Sequence, residues 1–137
     1  MNGYVADIEK LTEENADFRR VLYSGDKLQL VLMSIRPGEE IGGEVHADTD
    51  QFFRIEAGKG RVLIEGVTHK IKAGDGIVVP AGAHHNVICT GHDPLKLYTI
   101  YGPSTGRCDA STVRMISSFS EAGYLLRRRP HPRRCFF

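Results

Sequence analysis

The sequence predicts an all-β domain, and three observations predict it. Short apolar runs recur at intervals of ~8–12 residues, Gly or Pro stands between them, and no strand–helix–strand alternation follows residue 25. Such a pattern marks an antiparallel sandwich or barrel. A length of 137 residues suits one domain. The chain is 41% hydrophobic and 26% charged, with 15 glycines and no tryptophan, which argues against a disordered chain or a long coiled coil.

The elements follow in order. Residues 6–20 read as a short amphipathic helix, with Ile8, Leu11 and Phe18 punctuating a charged run. Ser24-Gly25-Asp26 is a turn signal, after which β-type runs begin. Residues 28–35 (LQLVLMSI) are apolar nearly throughout and end at Pro37-Gly38. Residues 51–56 (QFFRIE) stop at Gly58-Lys59-Gly60, 61–65 (RVLIE) at Gly66, and 67–72 (VTHKIK) at Gly74-Asp75-Gly76. Residues 77–79 lead into Pro80-Ala81-Gly82, followed by 86–89 and then 95–101 (LKLYTIY). Past Pro103 the signal decays, leaving room for a helix over roughly 111–126 and a solvated tail. The expected organisation is a helical segment over 1–20, a β-barrel over 21–103 and an irregular or helical extension over 104–137.

Charge and cysteine usage narrow the function classes. The formal charge is +1, from 18 basic and 17 acidic residues. Arg127, Arg128, Arg129, Arg133 and Arg134 sit in the tail, which leaves 13 basic against 17 acidic residues in 1–122, a net of −4. A net-negative body argues against nucleic-acid binding, whose affinity comes from cations set against phosphates. The tail alone offers a basic surface for acidic partners. No apolar run approaches the ~20 residues that span a bilayer, and no secretory signal is visible. Cys89, Cys108 and Cys135 are odd in number and widely spread, so they do not read as a disulfide framework. A cytoplasmic protein without a membrane partner is expected.

Two blocks carry chemistry. The first runs Gly38-(5)-Glu44-Val45-His46-(4)-Gln51-(6)-Gly58, and the second Gly74-(5)-Pro80-Ala81-Gly82-(2)-His85-(3)-Cys89. Glu44 and His46 lie two apart, so a strand points both side chains to one face. Gln51 is an odd five residues beyond His46, so a bend or bulge at the turn-like Ala47-Asp48-Thr49-Asp50 must re-aim it. Pro80-Ala81-Gly82 sets a turn that delivers His85 from another strand. Imidazole and carboxylate ligate zinc, manganese, iron or nickel, and a carboxamide oxygen is a weaker neutral donor. Glu44, His46, Gln51 and His85 are therefore the candidate metal ligands. Unligated, Glu44 is a candidate general base, and Gln51 can instead hydrogen-bond an inward group. Asp48 and Asp50 are reserve ligands should the register differ by two. His84 is expected at the rim, and His69, His92 and His131 at the surface.

The two blocks resemble the paired motifs of the cupin family, G(X)5HXH(X)3,4E(X)6G and G(X)5PXG(X)2H(X)3N. Spacing agrees at every fixed position, and identity agrees at Gly38, His46, Gly58, Gly74, Pro80, Gly82 and His85. Glu44 replaces the first histidine, Gln51 the glutamate and Cys89 the asparagine. The ligand charge of −1 matches that of the family's three-histidine, one-glutamate set. The resemblance reaches from about residue 20 to 103. It implies a double-stranded β-helix (jelly-roll) barrel, a divalent metal with open coordination positions, and chemistry of oxygenase, isomerase, decarboxylase or lyase type on a small organic substrate. A non-catalytic barrel that binds a small molecule is the alternative. Alternation places Phe53, Ile55, Val87 and Cys89 inside, and Tyr98 and Tyr101 are further pocket candidates. Cys89 reads as a small apolar filler rather than a nucleophile. The resemblance also implies a homodimer, with the apolar strand over 28–35 as the exposed edge that pairs.

Overall fold

The computed structural model describes residues 2–102 and the backbone of 113–116. Among the described residues, ten strands form two five-stranded antiparallel sheets that face each other as a jelly roll. The strands are β1 (Arg20–Ser24), β2 (Gln29–Ile35), β3 (Gly43–His46), β4 (Asp50–Ala57), β5 (Lys59–Ile64), β6 (Val67–Lys72), β7 (Gly76–Val79), β8 (His85–Cys89), β9 (Leu95–Gly102) and β10 (Val113–Ile116). One sheet is ordered β1-β2-β9-β4-β7 and the other β10-β3-β8-β5-β6. The chain crosses between sheets at residues 47–49. His46 thus projects inward from one sheet and Gln51 from the other, and the crossing replaces the bulge that a single strand would have needed.

Alternation builds the core. Val31, Met33 and Ile35 of β2, Phe53 and Ile55 of β4, Val62 of β5, Val87 and Cys89 of β8, and Leu95 and Leu97 of β9 are all buried in one cluster. The turns are set by residues able to adopt left-handed backbone. Glu65-Gly66 joins β5 to β6 with φ of 49° and 79°, the two positive values that a type I′ hairpin turn requires. At Gly58, φ is +90° and a Cβ would stand 2.6 Å from the Pro94 carbonyl oxygen, so no side chain fits.

Four expectations are corrected. The N-terminal helix, α1, spans only Ile8–Glu14. It begins at Asp7, whose carboxylate accepts from Lys10 N–H at 3.1 Å. It ends where the Asn15 side chain bonds the Asp17 backbone in both directions, which competes with further helical turns. Phe18 lies beyond it, 47% exposed, and α1 packs across the outer faces of β2, β4 and β9. Secondly, β2 is no edge: it lies between β1 and β9 with every residue buried. Its apolar run reflects burial on both faces, so it offers no surface for dimer pairing. Thirdly, residues 113–116 are not helical; they pair with β3 and carry the sheet past the expected barrel boundary. The rest of the expected 111–126 helix, the arginine tail, Cys108, Cys135 and His131 lie outside the described residues. Finally, His84 is buried rather than at the rim. Its backbone is tied on both sides to Glu65, whose N–H donates to the His84 carbonyl and whose carboxylate accepts from His84 N–H.

Candidate metal centre

β3 and β8 assemble three of the four predicted ligands. Glu44 is the direct cross-strand partner of His85, and His46 stands two residues further along the inward face of β3. Glu44 Oε2 lies 3.4 Å from His46 Nε2 and 3.8 Å from His85 Nε2. Two ligands of one ion, each at about 2.0–2.2 Å from it, adopt such separations. The donor atoms of all three residues lie within 4.8 Å of one another. The imidazole rings stack with centroids 5.4 Å apart, and Tyr101 meets His46 edge-on at 5.2 Å.

The backbone that holds them is stitched at Pro80-Ala81-Gly82. Gly82 N–H donates to the His46 carbonyl at 2.7 Å, and Ala81 N–H donates to Asp50 Oδ1 at 2.8 Å. One turn thereby links the chain just before His85 to the end of β3 and the start of β4. Asp50 serves this turn in place of the ligand role held in reserve for it, and Asp48 is exposed.

Protonation is directed as well. His85 Nδ1 lies 3.1 Å from the Ala83 carbonyl oxygen. A carbonyl can only accept, so Nδ1 carries the hydrogen and Nε2 the lone pair. Burial pushes the His85 imidazole below its ordinary pKa of 6.5. The backbone bond to Ala83 opposes that shift, His46 adds to it, Glu44 opposes it and His84 adds to it. His85 is therefore held as a neutral donor at neutral pH.

Gln51 projects from the facing sheet, 2% exposed, with Nε2 donating to Thr99 Oγ1 at 2.9 Å. Its Oε1 is buried and without a hydrogen-bond partner, as are His46 Nε2 and His85 Nε2. Imidazole nitrogen and carboxamide oxygen are atom types that bind cations, so the residues present fit a divalent ion.

The remaining predicted residues divide. Phe53 sets its ring edge-on to His85 at 6.1 Å, and Val87 is fully buried beside it on β8. Ile55 and Cys89 face inward too, but each lies four residues along its strand from Gln51 or His85, about 13 Å away. They line the apolar end. Cys89 Sγ donates to the Asp93 carbonyl. Tyr98 is corrected: it stands an odd three residues from Tyr101, points outward and packs against Phe52 at 6.5 Å. His69 and His92 are exposed, as expected. Thr99 and the Ala83 carbonyl escaped the sequence reading. Thr99 was detectable as the first polar residue in the inward series Leu95, Leu97, Thr99.

Comparison with known proteins agrees with this architecture. A family model for the cupin domain matches residues 31–101. An uncharacterised protein of Acanthamoeba polyphaga mimivirus is 42% identical over 127 residues, covering 88% of this chain and 79% of that protein. The uncharacterised Bacillus subtilis protein YrkC is 44% identical over 106 residues, or 73% of this chain. The match spans only 57% of YrkC's own length. Among solved structures, BH2720 of Bacillus halodurans superposes with a TM-score of 0.73 at 44% identity, covering 74% of this chain and 82% of that one. An uncharacterised double-stranded β-helix protein of Klebsiella pneumoniae superposes at 0.70 with 18% identity, covering 85% of this chain and all of that one; this likeness is one of fold.

Proposed function

The chain belongs to the cupin family, and on that premise we propose that it is a metal-dependent enzyme of oxygenase, isomerase or lyase type acting on a small organic substrate. Glu44, His46 and His85 hold a divalent ion (zinc, manganese, iron or nickel), and Gln51 adds its amide oxygen. One observation carries the reading: His46 Nε2, His85 Nε2 and Gln51 Oε1 are buried without hydrogen-bond partners. Leaving a buried polar atom unsatisfied costs about 1–3 kcal/mol, and a cation held by these atoms would remove that cost.

When bound, such an ion polarises a substrate carbonyl or enediolate oxygen, or activates water or dioxygen. The chain's own residues do the rest. The Ala83 carbonyl keeps the His85 lone pair turned toward the site. Phe53 and Val87, both fully buried, keep water from the inner side of His85. Glu44 is placed to take a proton at Oε2 if it is not ligating.

Metal analysis of purified protein tests this. Wild type should carry about one divalent ion per chain after reconstitution, and His46→Ala and His85→Ala should carry only background. Wild type at background would end the proposal. The second reading, a non-catalytic small-molecule-binding barrel, is favoured by the Gln51 amide that replaces the family carboxylate and is bonded to Thr99. In that case His85→Ala weakens ligand affinity and there is no bound ion to lose. We also propose a cytoplasmic homodimer with no nucleic-acid or membrane partner, paired through the edge strand β1. Among the described residues no helix is long and apolar enough to cross a membrane. Light scattering that gives a monomer mass would contradict the dimer.

A further inference from the structure

We propose that Thr99 is a positioning residue that aims the Gln51 amide oxygen at the ion, an inference that rests on the metal reading above. Thr99 is fully buried on the inward face of β9, next along from Leu95 and Leu97. A buried hydroxyl is costly unless hydrogen-bonded, and its bond is the one from Gln51 Nε2 at 2.9 Å. The register makes that bond diagonal. Thr99 stands opposite Phe53, two residues along β4 from Gln51, within the reach of a long side chain.

The need for such a partner follows from the chemistry of an amide. A carboxylate presents the same donors whichever way it is turned, so a glutamate at this position requires no aiming. A carboxamide has one ligating end and one that donates hydrogens. Gln51 stands opposite Tyr101, whose ring meets His46 edge-on at 5.2 Å, so the amide belongs to the imidazole end of the interior. Turned over, it would offer that end a hydrogen donor in place of a cation ligand. Thr99 Oγ1 gives the NH2 an acceptor on the far side and leaves Oε1 facing inward without a protein partner. The replacement of the family glutamate by glutamine and the hydroxyl on β9 therefore work as one device.

The test is cobalt(II) titration of the full chain, followed by its visible absorption, with folding checked by circular dichroism. Thr99→Val keeps shape and removes the acceptor. It should weaken cobalt binding roughly 10-fold, the usual scale for losing a ligand's hydrogen-bond partner, and change the ligand-field spectrum. Thr99→Ser should restore both. In a Gln51→Ala background, Thr99→Val should add no further loss, because no amide remains to be aimed. Thr99→Ala, also lacking the acceptor, replaces the valine variant if that fails to fold. Wild-type-like binding by Thr99→Val overturns the inference, as does an equal loss with and without Gln51. In both cases the metal reading stands. No cobalt binding by wild type overturns the metal reading and this inference together.

Discussion

The two ends of the barrel interior are built by the same strands and differ only in chemistry. On β4 the inward series runs Ile55, Phe53, Gln51; on β9, Leu95, Leu97, Thr99, Tyr101; on β8, Cys89, Val87, His85. In each strand apolar side chains fill one end and polar ones the other, with no change in backbone alternation. The apolar end is satisfied by packing alone. The polar end keeps three buried atoms unpaired, a standing cost that packing does not repay. One region stabilises the fold, and the other draws on that stability to hold donors in place.

Cutting into the apolar end should give the largest stability effect. Leu97→Ala removes a fully buried side chain and should cost about 2–5 kcal/mol in chemical denaturation, while the metal affinity of the molecules that remain folded is unchanged. A parallel loss of affinity would show that the two ends are not separable. At the polar end, Gln51→Leu of the metal-free protein should shift stability by only about 1 kcal/mol, because removing the unpaired oxygen offsets leaving the buried Thr99 hydroxyl without its partner, each worth about 1–3 kcal/mol. A loss as large as that of Leu97→Ala would mean the amide is a packing element.

Acid should act at the polar end through His85. The folded chain holds His85 below 6.5, so on acidification the unfolded chain takes up that proton first. The His85 contribution is fully present above the ordinary value and is lost as pH falls from there toward the depressed folded value. Metal retention should fall over the same range, since protonated imidazole cannot ligate. Comparing denaturation midpoints at neutral and mildly acidic pH should show a drop in wild type that is reduced in His85→Ala. An equal drop in both would remove His85 from the account.

Much of this contrast was legible in the sequence. Motif spacing picked out Glu44, His46, Gln51 and His85, and alternation placed Phe53 and Ile55 inside because period-2 geometry is local to a strand. What was hidden depended on partners distant in the chain. Run composition could not tell a strand buried on both faces from an exposed apolar edge, so β2 was misplaced. Tyr98 and Tyr101 lie an odd three residues apart, so one strand cannot turn both inward. The His84 backbone is bonded to Glu65, nineteen residues earlier in the chain. The strand over residues 113–116 is short and weakly patterned, and its pairing with β3 defines it.

The most direct test of the central claim is anomalous scattering from a crystal of the protein at the absorption edge of its bound metal. The account predicts one peak at about 2.0–2.2 Å from His46 Nε2, His85 Nε2 and a Glu44 carboxylate oxygen. No peak there, with both imidazole nitrogens hydrogen-bonded to protein groups, would contradict it.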